Sequence, residues 1–159
     1  MTVEESVACL SNMVSKHPDK HFIFTVSPLR HLKDGLHENQ LSKSALLLAV
    51  DAVCQRFPNA HYFPAYEILN DELRDYRFYK EDMVHPTAQA VQYIWERFVE
   101  FAINPLEIPA MNKALEMKQM IHHKPMFPES EVYQKFEAVR CKKLSELREC
   151  YSLVRVENL

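Results

Sequence analysis

The sequence predicts an α/β fold with few parallel strands and a helical C-terminal extension. Two short runs rich in β-formers, HFIFTVS at 21–27 and AHYFPAY at 60–66, carry the first half of that prediction. Both are compact, apolar and ended by a proline, as expected for strands buried on two faces. A helix-period stretch separates them. Parallel strands need such a long crossover, and a right-handed βαβ unit follows. After Pro105 the helical period takes over, which supplies the second half.

Each element has its own signal. Val3, Val7, Leu10 and Val14 share one face of a short helix over 3–16. Segment 28–38, PLRHLKDGLHE, reads as a polar loop that holds Arg30, His31, His37 and Gly35. Ser42 is placed to cap the next helix, which runs to about Phe57 with Leu46, Val50, Val53 and Phe57 inward. Pro58-Asn59 breaks it. A helical turn is expected over 67–73 and a loop over 74–86. Thr87 is a candidate N-cap for a helix whose inner face is Val91, Ile94, Trp95, Phe98 and Ala102. Two long helices, 109–122 and 130–156, flank HKPMFPES. The second has a stripe at Tyr133, Phe136, Leu144, Leu147, Tyr151 and Val154, interrupted by Arg140, which reads as packing. The expected division is 1–105 and 106–159, with the second part a helical extension packed on the first. Two strands alone cover their faces and edges poorly. The chain therefore reads as part of a larger α/β unit, or as a small one completed by helices or another subunit.

Composition removes several function classes. Nineteen basic side chains face 22 acidic ones, for a net charge of −3, so nothing attracts nucleic acid or an anionic membrane. The basic residues Lys135, Arg140, Lys142, Lys143, Arg148 and Arg155 alternate with glutamates and read as a solvated helix face. No apolar run approaches the length of a membrane span, and MTVEESVACL lacks a basic start, so a cytoplasmic protein is expected. Cys9, Cys54, Cys141 and Cys150 form no C-x-x-C pair and read as reduced, mostly buried thiols. His122 and His123 have no third ligand at useful spacing, so no metal is expected. The single glycine, Gly35, cannot build a dinucleotide loop, a P-loop or a G-x-S-x-G elbow, each of which needs several.

One stretch carries chemistry: DMVHPTAQA, 82–90. A histidine acting as a general base needs a fixed ring and a defined tautomer. A carboxylate bonded to Nδ1 supplies both. Asp82 and His85 are separated by one tight turn, and Pro86 biases His85 toward an extended backbone. The loop follows the second strand, where ligands of open α/β sheets bind. Such a spacing also arises by chance, and an exposed turn histidine is the competing reading.

The segments FTVSPLRHLKDG, SKSALLLAV, YFPAYEIL and FYKEDMVHPTAQAVQYIWERF occur in that order. Together they resemble the GSCFA family, a branch similar to the SGNH/GDSL hydrolases. The resemblance covers about 20–104, and HHKPMFPESEVYQKF is similar in character to the family's C-terminal region. It implies a three-layer α/β/α sandwich, present here only in part. It implies that Asp82 orients His85 and that His85 acts as base toward a serine. The G-S-C-F-A block that would hold this serine is absent from these 159 residues, as are the oxyanion glycine and asparagine blocks. Ser27 ends a strand near the presumed active edge, but the resemblance gives it to a structural S-P turn. Arg30 and His31 face the same edge, as substrate contacts or as ordinary loop residues. Tyr66 and Glu67 match a family Y-E pair, read mainly as a strand-end hydrogen bond.

The implied reaction is ester hydrolysis through an acyl-serine, without metal or organic cofactor, on a small ester or acylated sugar. Without the nucleophile the chain is expected to be inactive or very slow alone. The alternatives are a non-catalytic remnant that pairs with a second copy or a complementing chain, and a helical interaction module over 107–156.

Overall fold

The computed structural model describes residues 2–150, without the side chains of Asp34 and Cys150. These residues form two compact units that divide between Ala102 and Ile103.

The first unit is mixed α/β and mostly helical. Helix α1 (Val3–Ser15) opens with a capping box. Thr2 Oγ1 accepts from the Glu5 N–H at 3.2 Å, and Glu5 Oε2 accepts from the Thr2 N–H at 2.8 Å. Strand β1 (Phe22–Phe24), helix α2 (Gly35–Arg56) and strand β2 (Ala60–Tyr62) follow. The strands pair in parallel, with Phe22 opposite Ala60 and Phe24 opposite Tyr62. A short helix α3 (Ala65–Glu67) leads into a π-helical stretch, Ile68–Leu73. A 3₁₀ turn at Tyr76–Phe78 precedes helix α4 (Ala88–Ala102).

Three apolar clusters hold this unit. Val14, Val53 and Ala60 join α1, α2 and β2, flanked by Leu10, Phe22 and Phe24. Val14 and Val53 are fully buried, worth about 1.5–3 kcal/mol each. Beyond β2, Phe63, Ala65 and Ile68 pack on Tyr93, Ile94 and Phe98 of α4. Phe63 meets Phe98 edge to face, centroids 5.1 Å apart. Leu69, Phe78, Tyr79 and Ala90 continue this core.

The second unit pairs helices α5 (Ile108–His122) and α6 (Glu131–Cys150). Met117 and Leu147 are buried, and Lys143 pairs with Glu116. Tyr133, Phe136 and Leu144 of the expected stripe are half-buried. Tyr151, Val154 and Arg155 lie outside the described residues.

The structure corrects several expectations. Helix α2 starts at Gly35, so Ser42 caps nothing and sits exposed inside the helix. Gly35 stands at φ +77°, a left-handed conformation that favours glycine, with nothing near its missing Cβ. The strands are three residues long, shorter than the apolar runs that predict them. Leu46, Val91 and Trp95 are exposed, and α4 buries Ala90 and Val99 instead. A two-stranded sheet offers too little surface to cover every apolar side chain on the helices around it. Of the three cysteines whose side chains are described, Cys9 and Cys141 are exposed and Cys54 is half-buried, because the first two lie on outer helix faces. Arg140 departs from the solvated face: it and Glu137 are each 28% exposed and pair at 2.6 Å.

Candidate functional site

The Asp82–His85 pair sits in a closed loop with a sealed stem. Tyr79 and Pro86 form an antiparallel bridge. The Lys80 N–H donates to the His85 carbonyl at 2.8 Å, and the Thr87 N–H donates to the Phe78 carbonyl at 2.8 Å. Phe78 and Tyr79 are buried, so the stem is rooted in the core. Thr87 caps α4 as its residue type predicts, its Oγ1 accepting from the Ala90 N–H at 3.3 Å.

Within the loop Asp82 divides its two oxygens. Oδ1 accepts from the Val84 N–H at 2.9 Å and from the His85 N–H at 3.0 Å. Oδ2 lies 2.6 Å from His85 Nδ1. The backbone N–H groups of His85 and Val84, then the His85 ring, hold the carboxyl down to about 2. Asp82 is thus a carboxylate at neutral pH, and Nδ1 carries the proton it accepts. With Nδ1 directed at the carboxylate, Nε2 is the ring's remaining nitrogen, and the His85 side chain is 54% exposed. Met83, between the two, takes φ +58°, a left-handed conformation uncommon outside glycine.

A shallow depression of about 460 Å³ opens beside the pair, lined by Arg30, His31, Leu32, Lys33, Asp82, Val84 and His85. The loop after β1 and the loop before α4 therefore meet beside the pair. Arg30 Nη1 donates to the Met83 carbonyl at 3.2 Å, and its guanidinium lies 4.2 Å over the Tyr79 ring. The His31 N–H donates to Asn39 Oδ1 on α2 at 2.9 Å. Ser27 does not line the depression; its Oγ accepts from the Leu29 N–H at 3.3 Å in a local turn. Arg30 also lines a second cavity of about 200 Å³ with Asn70, Arg74, Asp75, Tyr76 and Tyr79.

Tyr66 and Glu67 separate in role. Glu67 Oε2 accepts from the Tyr62 hydroxyl at 2.8 Å, and burial first, then Glu67, pushes that phenol upward. Tyr66 donates to Gln40 Oε1 at 3.0 Å. Lys43, Asn70 and Tyr79 are residues that sequence reasoning missed. Lys43 is buried, donates to the Ser27 carbonyl at 2.7 Å, and has its pKa lowered by burial. Its signal was register: it lies seven residues before Val50, on the same helix face. Tyr79 donates to Asn70 Oδ1 at 3.1 Å, and Asn70 Nδ2 donates to the Tyr66 carbonyl at 2.8 Å. No periodic pattern marks that pair. Among the described residues no three His, Cys, Asp or Glu side chains converge as metal ligands. No described helix is long and apolar enough to cross a membrane.

Two parallel strands, a long helical crossover and an Asp–His loop define a mixed α/β protein with a relay-like pair. Residues 1–98 match the GSCFA family, and the chain belongs to that family. No curated protein and no solved structure matches it.

Proposed function

We propose that this chain carries the Asp–His half of an SGNH-like serine ester hydrolase. The 2.6 Å contact between Asp82 Oδ2 and His85 Nδ1 carries the reading. In it His85 Nε2 takes the proton of a serine hydroxyl as that oxygen attacks an ester carbonyl. It then returns the proton to the leaving alcohol, and water releases the acyl group by the same steps. The serine and the oxyanion donors come from polypeptide outside these 159 residues, which contain no G-S-C-F-A block. In this reading β1, β2, α2 and α4 are part of a three-layer α/β/α sandwich. His31 lines the floor on which the ester rests. The mixed lining of the second cavity, with Tyr76 and Tyr79 beside Arg30, Asn70, Arg74 and Asp75, suits a sugar ring bearing the acyl group.

Ester cleavage tests this. The chain joined to a family segment bearing the G-S-C-F-A block is expected to turn over p-nitrophenyl acetate. The chain without that segment should be near the buffer rate. His85→Ala should remove the block-dependent rate. Equal turnover with and without His85 would exclude it from the mechanism.

One observation favours a second, compatible reading, a complementing partner. The sheet has only two strands among the described residues, and Ile23 of β1 is 41% exposed. An uncovered strand edge with apolar side chains is a route to pairing with another polypeptide, whether a complementing chain or a second copy. In this reading the chain acts through association, with or without catalysis.

A further inference from the structure

We propose that Arg30 is a positioning residue, a latch that fixes the Asp82–His85 geometry from outside the loop. The inference deepens the proposed function and rests on it for its catalytic meaning.

The loop needs such a latch. Its bonds at Lys80, Asp82, Met83, Val84 and His85 are otherwise local, closing the loop on itself. Met83 stands in a left-handed conformation, and strained residues persist only where their surroundings over-determine them. Among the described residues, one hydrogen bond reaches the segment from Asp82 to His85 from distant sequence: Arg30 Nη1 to the Met83 carbonyl, 53 residues away. That carbonyl belongs to the strained residue between the acid and the base. The same guanidinium lies 4.2 Å over the Tyr79 ring at the loop's stem. One planar group therefore grips both the tip and the root, which a lysine's point charge cannot do.

The latch is itself mounted rigidly. Lys43 holds the Ser27 carbonyl on one side of Arg30, and Asn39 holds the His31 N–H on the other. Both anchors are on α2. Helix α2 thus serves as the reference to which the pair is aligned, through the backbone 27–31 and the Arg30 side chain.

The readout is the tautomer of His85, from imidazole ¹⁵N shifts of the labelled chain at neutral pH without substrate. The wild type is expected to show protonated Nδ1 and unprotonated Nε2. Arg30→Met should shift the ring toward the Nε2–H form, which is ordinarily preferred by a histidine without a carboxylate partner. Arg30→Lys should restore the wild-type form only in part. Arg74→Met, which changes the second cavity but no bond to the loop, should leave it unchanged. If Arg30→Met does not fold, Arg30→Lys against Arg74→Met decides. A wild-type tautomer in Arg30→Met and Arg30→Lys alike would overturn the proposal. So would an equal change in Arg74→Met. In the completed enzyme a latch lowers kcat, whereas a substrate contact raises KM. Failure of ester hydrolysis would leave the tautomer result standing, so the two readings fail separately.

Discussion

At the scale of single residues, the Asp82 carboxylate has three hydrogen-bond donors, two of them backbone N–H groups. Its pKa in the fold lies below the ordinary value of 3.8, at about 2. Its contribution is therefore complete above about 4 and is lost as pH falls through about 2. The amide shifts of Val84 and His85 should titrate with a midpoint near 2. A midpoint near 4 would mean that the bonds are not formed. Asp82→Asn should invert the His85 tautomer at neutral pH, because an amide can offer its Nδ2–H to Nδ1; ¹⁵N shifts read this directly. Met83 gives a backbone test. Val is β-branched and ill suited to φ +58°, so Met83→Val should weaken the loop by about 1–2 kcal/mol, seen as faster amide exchange at Val84 and His85. Met83→Gly removes the steric strain and should preserve the pairing. The D-x-x-H spacing was legible because one turn is enough to bring these atoms together. The left-handed Met83 was not, because no local rule marks a methionine for that conformation.

At the scale of elements, caps and helix faces divide what was readable from what was not. Thr2 and Thr87 act through bonds to residues three positions away, and Thr87 was read from its type and place. Thr87→Ala should cost about 1 kcal/mol in urea unfolding. Helix α2 misled because Ser42 has the chemistry of a cap but sits beyond a start set by Gly35 and by the pinned loop before it. Once the helix begins at Gly35, Lys43 falls on its inner face. Register places Lys43 on the inner face, but the carbonyl its ammonium holds is a tertiary partner that helix period does not report. Lys43→Ala removes that bond, with an expected loss of about 1.5–3 kcal/mol in the same measurement. It should also loosen the mounting of Arg30. The strands were legible in place and direction, while their length was overstated. Apolar runs mark burial, and burial here continues past the paired residues to Val26 and Phe63.

At the scale of the whole molecule, the family followed from the order of the segments, and the loops after β1 and before α4 meet beside the pair. The second cavity, built from a π-helical stretch and the Arg30 side chain, did not, since it depends on packing distant in sequence. The proposed association also has a direct test. Light scattering across a concentration series should show self-association or capture of a family segment, and Ile23→Lys should reduce either. A wild-type monomer that captures no such segment would count against an edge that recruits polypeptide. The sealed stem of the Asp82 loop carries a last consequence. Phe78, Tyr79 and Thr87 are secured by contacts that do not involve the acid or the imidazole. The stem can therefore stay closed when the Asp82 and His85 side chains are replaced. Within a lineage, a folded loop says nothing about whether the acid and the imidazole have been retained.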